Sequence, residues 1–175
     1  MVSEEKPDSV PSAEQKDSYN TALNTRNFEI SLFWQRSNYF LVLNSALAIG
    51  FFNLQKLWYV LFLAVFGLIV SWLWFRVNLG SKFWQLRWEQ RLSEIEKEIY
   101  PERHFFAADW DIIEGDVKES IYNAKRGGFP RHGWLDNRVL KKYSVSHHMT
   151  LLSILFMVGW TILAISTVVR LWLSR

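Results

Sequence analysis

Four acidic side chains fall within eight residues of one another: Asp109, Asp111, Glu114 and Asp116. Hard cations are held by oxygen ligands of this kind. The spacing is not that of a calcium loop, so a solvated acidic surface is the reading it supports. The four histidines, His104, His132, His147 and His148, show no zinc-ligand spacing. His147 and His148 stand where the chain enters an apolar run, which suits an interfacial role. Residues 125–134 read KRGGFPRHGW. There Lys125, Arg126 and Arg131, among glycines and aromatics, have the chemistry to hold a lipid headgroup or another anion. An ordinary positive cytoplasmic loop would carry the same residues.

The sequence contains no phosphate-binding loop, nucleophile elbow or paired-histidine metal motif. It has no cysteine, hence no disulfide, thiolate nucleophile or lipidated thiol. The polar tract 101–148 is too short for an independent enzyme core without disulfides or metal. The expectation is a protein that is not an enzyme, with no cofactor, no metal and no nucleic-acid partner.

The elements that carry these residues are dictated by blocked hydropathy. Half of the 175 residues are aliphatic or aromatic. Mean hydropathy is nonetheless close to zero, at -0.01. Residues 37–55, 57–75 and 149–169 contain no charge. Each run is close to the roughly 20 residues a helix needs to cross a ~30 Å hydrocarbon layer. The first is the most diluted, by Asn38, Asn44, Ser45 and Asn53. No A-x-A-like cleavage site follows it, so it is expected to remain as an anchor rather than leave as a signal peptide.

These runs predict an all-α integral membrane protein with three transmembrane helices, at 37–55, 57–77 and 149–170, in contact with membrane lipids. Thirteen of the twenty Lys and Arg lie between Arg76 and His148, and only Lys56 lies between the first two runs. Positive charge stays on the cytoplasmic side. The N-terminus and the large loop are therefore expected in the cytoplasm and the C-terminus on the far side. Trp34, Trp58, Trp72, Trp74 and Trp172 fall near expected span ends, where indole rings suit the headgroup zone.

Residues 1–17, with Pro7 and Pro11, are too polar to fold alone and are expected to be disordered. Tyr19, Leu23, Ile30, Phe33 and Trp34 then recur at near-helical spacing. An amphipathic cytoplasmic helix at 18–36 should run directly into the first span. A four-residue link makes the first two spans a hairpin. Ala46 with Gly50, and Gly67 with Ser71, place small residues four apart, the spacing that lets membrane helices pack closely.

Residues 78–100 predict a cytoplasmic stalk helix ended by Pro101. Trp84, Trp88, Leu92, Ile95 and Ile99 form a heptad-like stripe on it. That stripe requires a partner helix, either the 19–34 helix of the same chain or the stalk of another copy. Residues 101–148 would form a small cytoplasmic insert with a short helix at 117–125. In the last span Thr150, Ser153, Thr161, Ala164 and Thr167 are expected to share one face, for interhelical packing or, in a different reading, to line a pore together with Asn44.

Three segments resemble a known family. Residues 36–51, RSNYFLVLNSALAIGF, resemble a first-span motif with a central N-x-A-L. Residues 79–99, LGSKFWQLRWEQRLSEIEKEI, resemble a post-span helix closing on E-I-E-K. Residues 142–147, KYSVSH, resemble an aromatic, Ser-His entry to a third span. Together they are similar to the RipA-type small octameric bacterial membrane proteins. The matching positions are Asn44, Ser81, Lys82, Phe83, Glu94, Ile95, Glu96, Lys97, Trp110 and His147. The resemblance implies a bacterial inner membrane location and a homo-oligomer of about eight subunits; it implies no reaction. On this reading the protein is a non-enzymatic scaffold or sensor platform. The alternative is a ring-forming channel or membrane-perturbing effector connected with stress or defence.

Overall fold

The computed structural model describes residues 11–102, 105–126, 140–141 and 144–174. Regular structure among them is entirely helical: α1 (Ala13–Asn53), α2 (Leu57–Ile99), α3 (Trp110–Arg126) and α4 (Val145–Leu173).

Helix α1 begins five residues before the expected boundary at Ser18, because Ser12 and Gln15 form a capping box. Ser12 Oγ accepts from the Gln15 N–H at 3.2 Å, and Gln15 Oε1 accepts from the Ser12 N–H at 2.9 Å. With no proline and no glycine before Gly50, the helix continues unbroken into the first apolar run. At its end the Asn53 amide donates to the Ile49 carbonyl at 2.7 Å. Four residues later α2 starts. It runs 43 residues and stops two before Pro101, with the Tyr100 N–H closing on the Glu96 carbonyl at 2.8 Å. Helix α3 is longer than the expected 117–125 because the Asp109 carbonyl already accepts from Ile112 and Ile113. Ser144 caps α4, its hydroxyl accepting from the His147 N–H.

Among the described residues, two helices are long and apolar enough to cross a membrane, α2 and α4. Only 33% of the apolar window of α2, and 17% of that of α4, is buried by protein. The core helix of a soluble protein would be far more covered. The first run, 37–55, does not reach the same standard, since its asparagines and serines lower its mean hydropathy.

The chain divides into two compact units. The first comprises Met1–Phe28 and Gln85–Lys142. Its interior holds Ala22, Leu92 and Ile99, with Glu96 fully buried among them. The second comprises Glu29–Trp84 and Tyr143–Arg175. Three helical segments meet there around Leu47, Ala64, Val70 and Trp160, with Phe51 and Leu63 packed against them. Its outer surface is apolar: Phe52, Trp58 and Phe62 are each at least 65% exposed.

Trp74 corrects the expectation of an interfacial anchor. It is fully buried, stacked on Phe40 at 6.1 Å between ring centroids and tilted against Phe156 at 5.9 Å. The helical register of α2 turns it to the inner face with Val70, Ser71 and Asn78. Trp34, Trp58, Trp72 and Trp172 do present their rings outward.

Candidate functional site

Ser71 and Trp160 converge on Asn44, which no solvent reaches. Its Oδ1 accepts two hydrogen bonds, from Ser71 Oγ on α2 and from Trp160 Nε1 on α4, both at 2.9 Å. Its Nδ2 donates to the Phe40 carbonyl at 2.9 Å. One amide thereby ties three helices together. Ser71 lies at the same distance from the Gly67 carbonyl. Gly67 is what lets Trp160 reach inward, since a Cβ there would meet Cδ2 and Cε2 of the indole at 2.4 Å. The cluster consists of neutral groups bonded to one another. It can brace helices but has no titratable member with which to relay a proton.

Further along the same seam, Asn78 Nδ2 donates to the Met149 carbonyl at 3.2 Å. Arg36 Nη1 lies 3.4 Å from Ser81 Oγ, as donor. Ser37 Oγ, Trp74 Nε1 and Asn78 Oδ1 are buried without a hydrogen-bond partner.

In the other unit, Glu96 acts as a clasp. Its Oε1 accepts from the Phe105 N–H at 3.1 Å, and its Oε2 from those of Phe106 and Ala107 at 2.7 and 2.8 Å. A buried carboxyl thus secures the backbone that follows Pro101, satisfying donors that no helix or strand takes up. The Arg26 guanidinium lies 5.3 Å over the Phe106 ring and 3.4 Å from Glu89 Oε1. A recess of about 260 Å³ lies beside this clasp, lined by Lys16, Tyr19, Asn20, Tyr100 and Phe105.

The expected stalk stripe is split. Leu92 and Ile99 are buried within the chain's own unit, Trp88 and Ile95 are half-buried, and Trp84 is exposed. Of the two partners expected for the stripe, it is the chain's own unit that covers Leu92 and Ile99, so these two do not lie at an interface between copies. The inward face runs through Gln85, Leu92, Glu96 and Ile99, a few tens of degrees round from the expected one. Sequence reasoning placed Ile95 inside and missed Glu96. The available signal was an acid four residues after one stripe position and three before another.

Small-residue packing holds at Gly50, where a Cβ would sit 3.2 Å from Leu63 Cδ1, and not at Ala46, which is exposed. In α4 the buried positions are Ser153, Trp160 and Thr167, seven apart. Thr150 is half-buried, and Thr161, about 20° from it round the helix, is exposed. The hydroxyl face is therefore covered at Ser153 and Thr167 and open at Thr161. Thr150, Ser153, Thr161 and Thr167 each donate to a carbonyl three or four residues back at 2.7–2.9 Å. These hydroxyl protons satisfy their own helix rather than a neighbour or a water column.

Of the acidic cluster, Asp109, Asp111 and Asp116 are exposed. Glu114 pairs with Lys118 at 2.6 Å. That hydrogen bond, with the attraction of the ammonium, holds the Glu114 carboxyl below its ordinary value. Hydrogen bonds from Gln90 and then Arg91 do the same for Glu94. The proposed anion site falls outside the description: Arg131 is not among the described residues, nor are the side chains of Lys125 and Arg126. His104 and His132 lie outside it as well.

The sequence profile described as the octameric membrane protein family (8xMP) matches residues 16–169. No curated protein and no solved structure matches the chain.

Proposed function

The chain belongs to the octameric membrane protein family, and on that premise we propose that it is a non-enzymatic scaffold or sensor platform, a homo-octamer in a bacterial inner membrane. In this reading each subunit crosses the membrane three times, at 37–55, 57–77 and 149–170. Residues 1–36 and 78–148 stand in the cytoplasm.

The observation that carries the reading is the closed bond set at Asn44. Asn44, Ser71 and Trp160 bond to one another in the interior of the apolar unit, while Phe52, Trp58 and Phe62 stand on its outer surface. A protomer built this way offers lipid and neighbouring copies a surface, and its own interior a brace rather than a path. The clasp at Glu96 supports the platform half of the reading, since it gives the cytoplasmic chain after α2 a defined course. Mass measurement of the full chain in nanodiscs tests the assembly. Particles of eight times the 20.8 kDa protomer mass are expected. Monomers or dimers would refute the platform.

A further inference from the structure

One face of α2 has no partner among the described residues. Phe62, Phe66, Ile69 and Leu73 recur at spacings of four, three and four, and are between 41% and 67% exposed. The Phe62 and Phe66 rings stack at 6.2 Å with an interplanar angle of 4° and stand as one ridge. At about 100° per residue, the ridge lies roughly 200° round the helix from the inward stripe of Ala64, Gly67 and Ser71. It therefore faces away from α1 and α4.

On the side formed by α1 and α4 lies an apolar groove of about 260 Å³, lined by Ala48, Leu152, Leu155, Gly159 and Leu163 among others. Gly159 is part of its lining, and a Cβ there would meet nothing within 4 Å. Ridge and groove also share a level along the helices. Gly67 packs on Trp160 and Asn78 reaches the Met149 carbonyl. Residues 67–78 of α2 therefore run alongside 149–160 of α4 in reverse order, which sets Phe66 and Ile69 beside the level of Gly159.

We infer that the groove of one protomer receives the 62–73 ridge of the next, head to tail around the ring. The inference rests on the octameric reading above and adds which faces meet. Two observations select a second copy as the occupant. A ridge and a groove on different sides of one protomer make a heterologous contact, the type that builds a ring where the rotation between copies closes, as an octamer requires. Copies related by rotation about the membrane normal sit at equal depth, so knob and hole must be level, as they are. The ridge offers roughly 350 Å², on a scale of about 150–250 Å² for a whole aromatic side chain. Each contact then buries about 700 Å² over both partners, below the roughly 1,200–2,000 Å² of a standard interface, so the ring is held by closure, every member making two such contacts. Ridges entering grooves is also the general mode of helix packing.

The natural chain has no cysteine, so engineered pairs report without background. The full chain carrying Phe66→Cys with Gly159→Cys, and separately Leu73→Cys with Leu155→Cys, would be oxidised in nanodiscs and run without reductant. Within one protomer the paired positions lie on opposite sides, so any disulfide joins copies. A ladder passing beyond dimer towards the full ring is expected for both pairs and absent for each single variant. Gly159→Leu, which has room in the isolated protomer, should fill the groove and shift the particle from octamer to protomer mass with helix content unchanged. Octamers that give no ladder and survive Gly159→Leu would overturn the ridge-and-groove contact and leave the octamer standing, with lipid chains as the groove's occupant. A dimer band from Phe66→Cys alone would mean ridge against ridge and overturn it too. Particles that are never larger than dimers overturn this contact together with the octameric reading.

Discussion

Replacing Asn44 by leucine keeps a side chain of similar size in place and deletes the acceptor that joins three helices. Its consequences are unequal at the two partners. Ser71 Oγ retains the Gly67 carbonyl at 2.9 Å. Trp160 Nε1 loses the acceptor it has at 2.9 Å, in a position 3% exposed. Stranding a buried donor costs about 1–3 kcal/mol. Cycles on side-chain hydrogen bonds in membrane proteins average nearer ~0.6 and reach ~1.7. Asn44→Leu should therefore destabilise by about 1–2 kcal/mol, most of it through Trp160. Trp160→Phe removes the stranded N–H, so the double variant should recover about 1 kcal/mol relative to the sum of the singles. The assay is reversible unfolding in mixed micelles of rising dodecyl sulfate fraction, followed by far-ultraviolet circular dichroism. Protein concentration is held fixed, because association shifts apparent stability. A single variant within about 0.5 kcal/mol of the natural chain, together with additive singles, would refute Asn44 as the brace.

Two further substitutions probe the same architecture. Gly67→Ala places a methyl group 2.4 Å from indole atoms and should cost about 1–3 kcal/mol by overpacking; Gly80→Ala, in open space on the same helix, should be neutral or stabilise by up to about 1 kcal/mol, and equal effects in the same micelle titration would contradict the packing at Trp160. Glu96→Gln substitutes a donor for one of the two oxygens that accept from residues 105–107 and should speed amide exchange there by about tenfold or more, the equivalent of roughly 1.5–3 kcal/mol for a hydrogen bond to a charged group; unchanged exchange at Phe106 and Ala107 would show that the clasp is not what holds that backbone.

What the sequence made legible was whatever depends on composition over a whole turn or more. The uninterrupted stretch before Gly50 foretold one continuous α1, and Pro101 foretold the end of α2. Fine register was not legible, because stripes at 3.5 and 3.6 residues per turn diverge only after several turns. Over 84–99 both Ile95 and Glu96 fit a helical face; the preference for apolar residues selected Ile95, which is half-buried, whereas the fully buried one is Glu96. Apolar character also misplaced Trp74, since an indole near a span end reads as an anchor whichever way its helix is turned. The start of α1 was legible and overlooked: S-A-E-Q at Ser12–Gln15 is a capping box in plain sequence. Asn44 was singled out from sequence, but its partners were not, since Ser71 and Trp160 lie 27 and 116 residues away.

The unpaired polar atoms distinguish the two ends of the apolar unit. Around Asn44 the hydrogen-bonding capacity of three helices closes on itself. Around Trp74 and Asn78 it does not, for an indole N–H, an amide oxygen and the Ser37 hydroxyl are buried and unanswered. A brace in apolar surroundings gains from having no alternative partner, because the only exchange for its bonds is an unsatisfied group. The same reasoning makes the unanswered end the softer one, where separating the helices forfeits no side-chain hydrogen bond at those three atoms. The Asn44 level is thus held by a closed bond set, and the Ser37, Trp74 and Asn78 level by the packing of Trp74 on Phe40 and Phe156 and the single Asn78–Met149 bond.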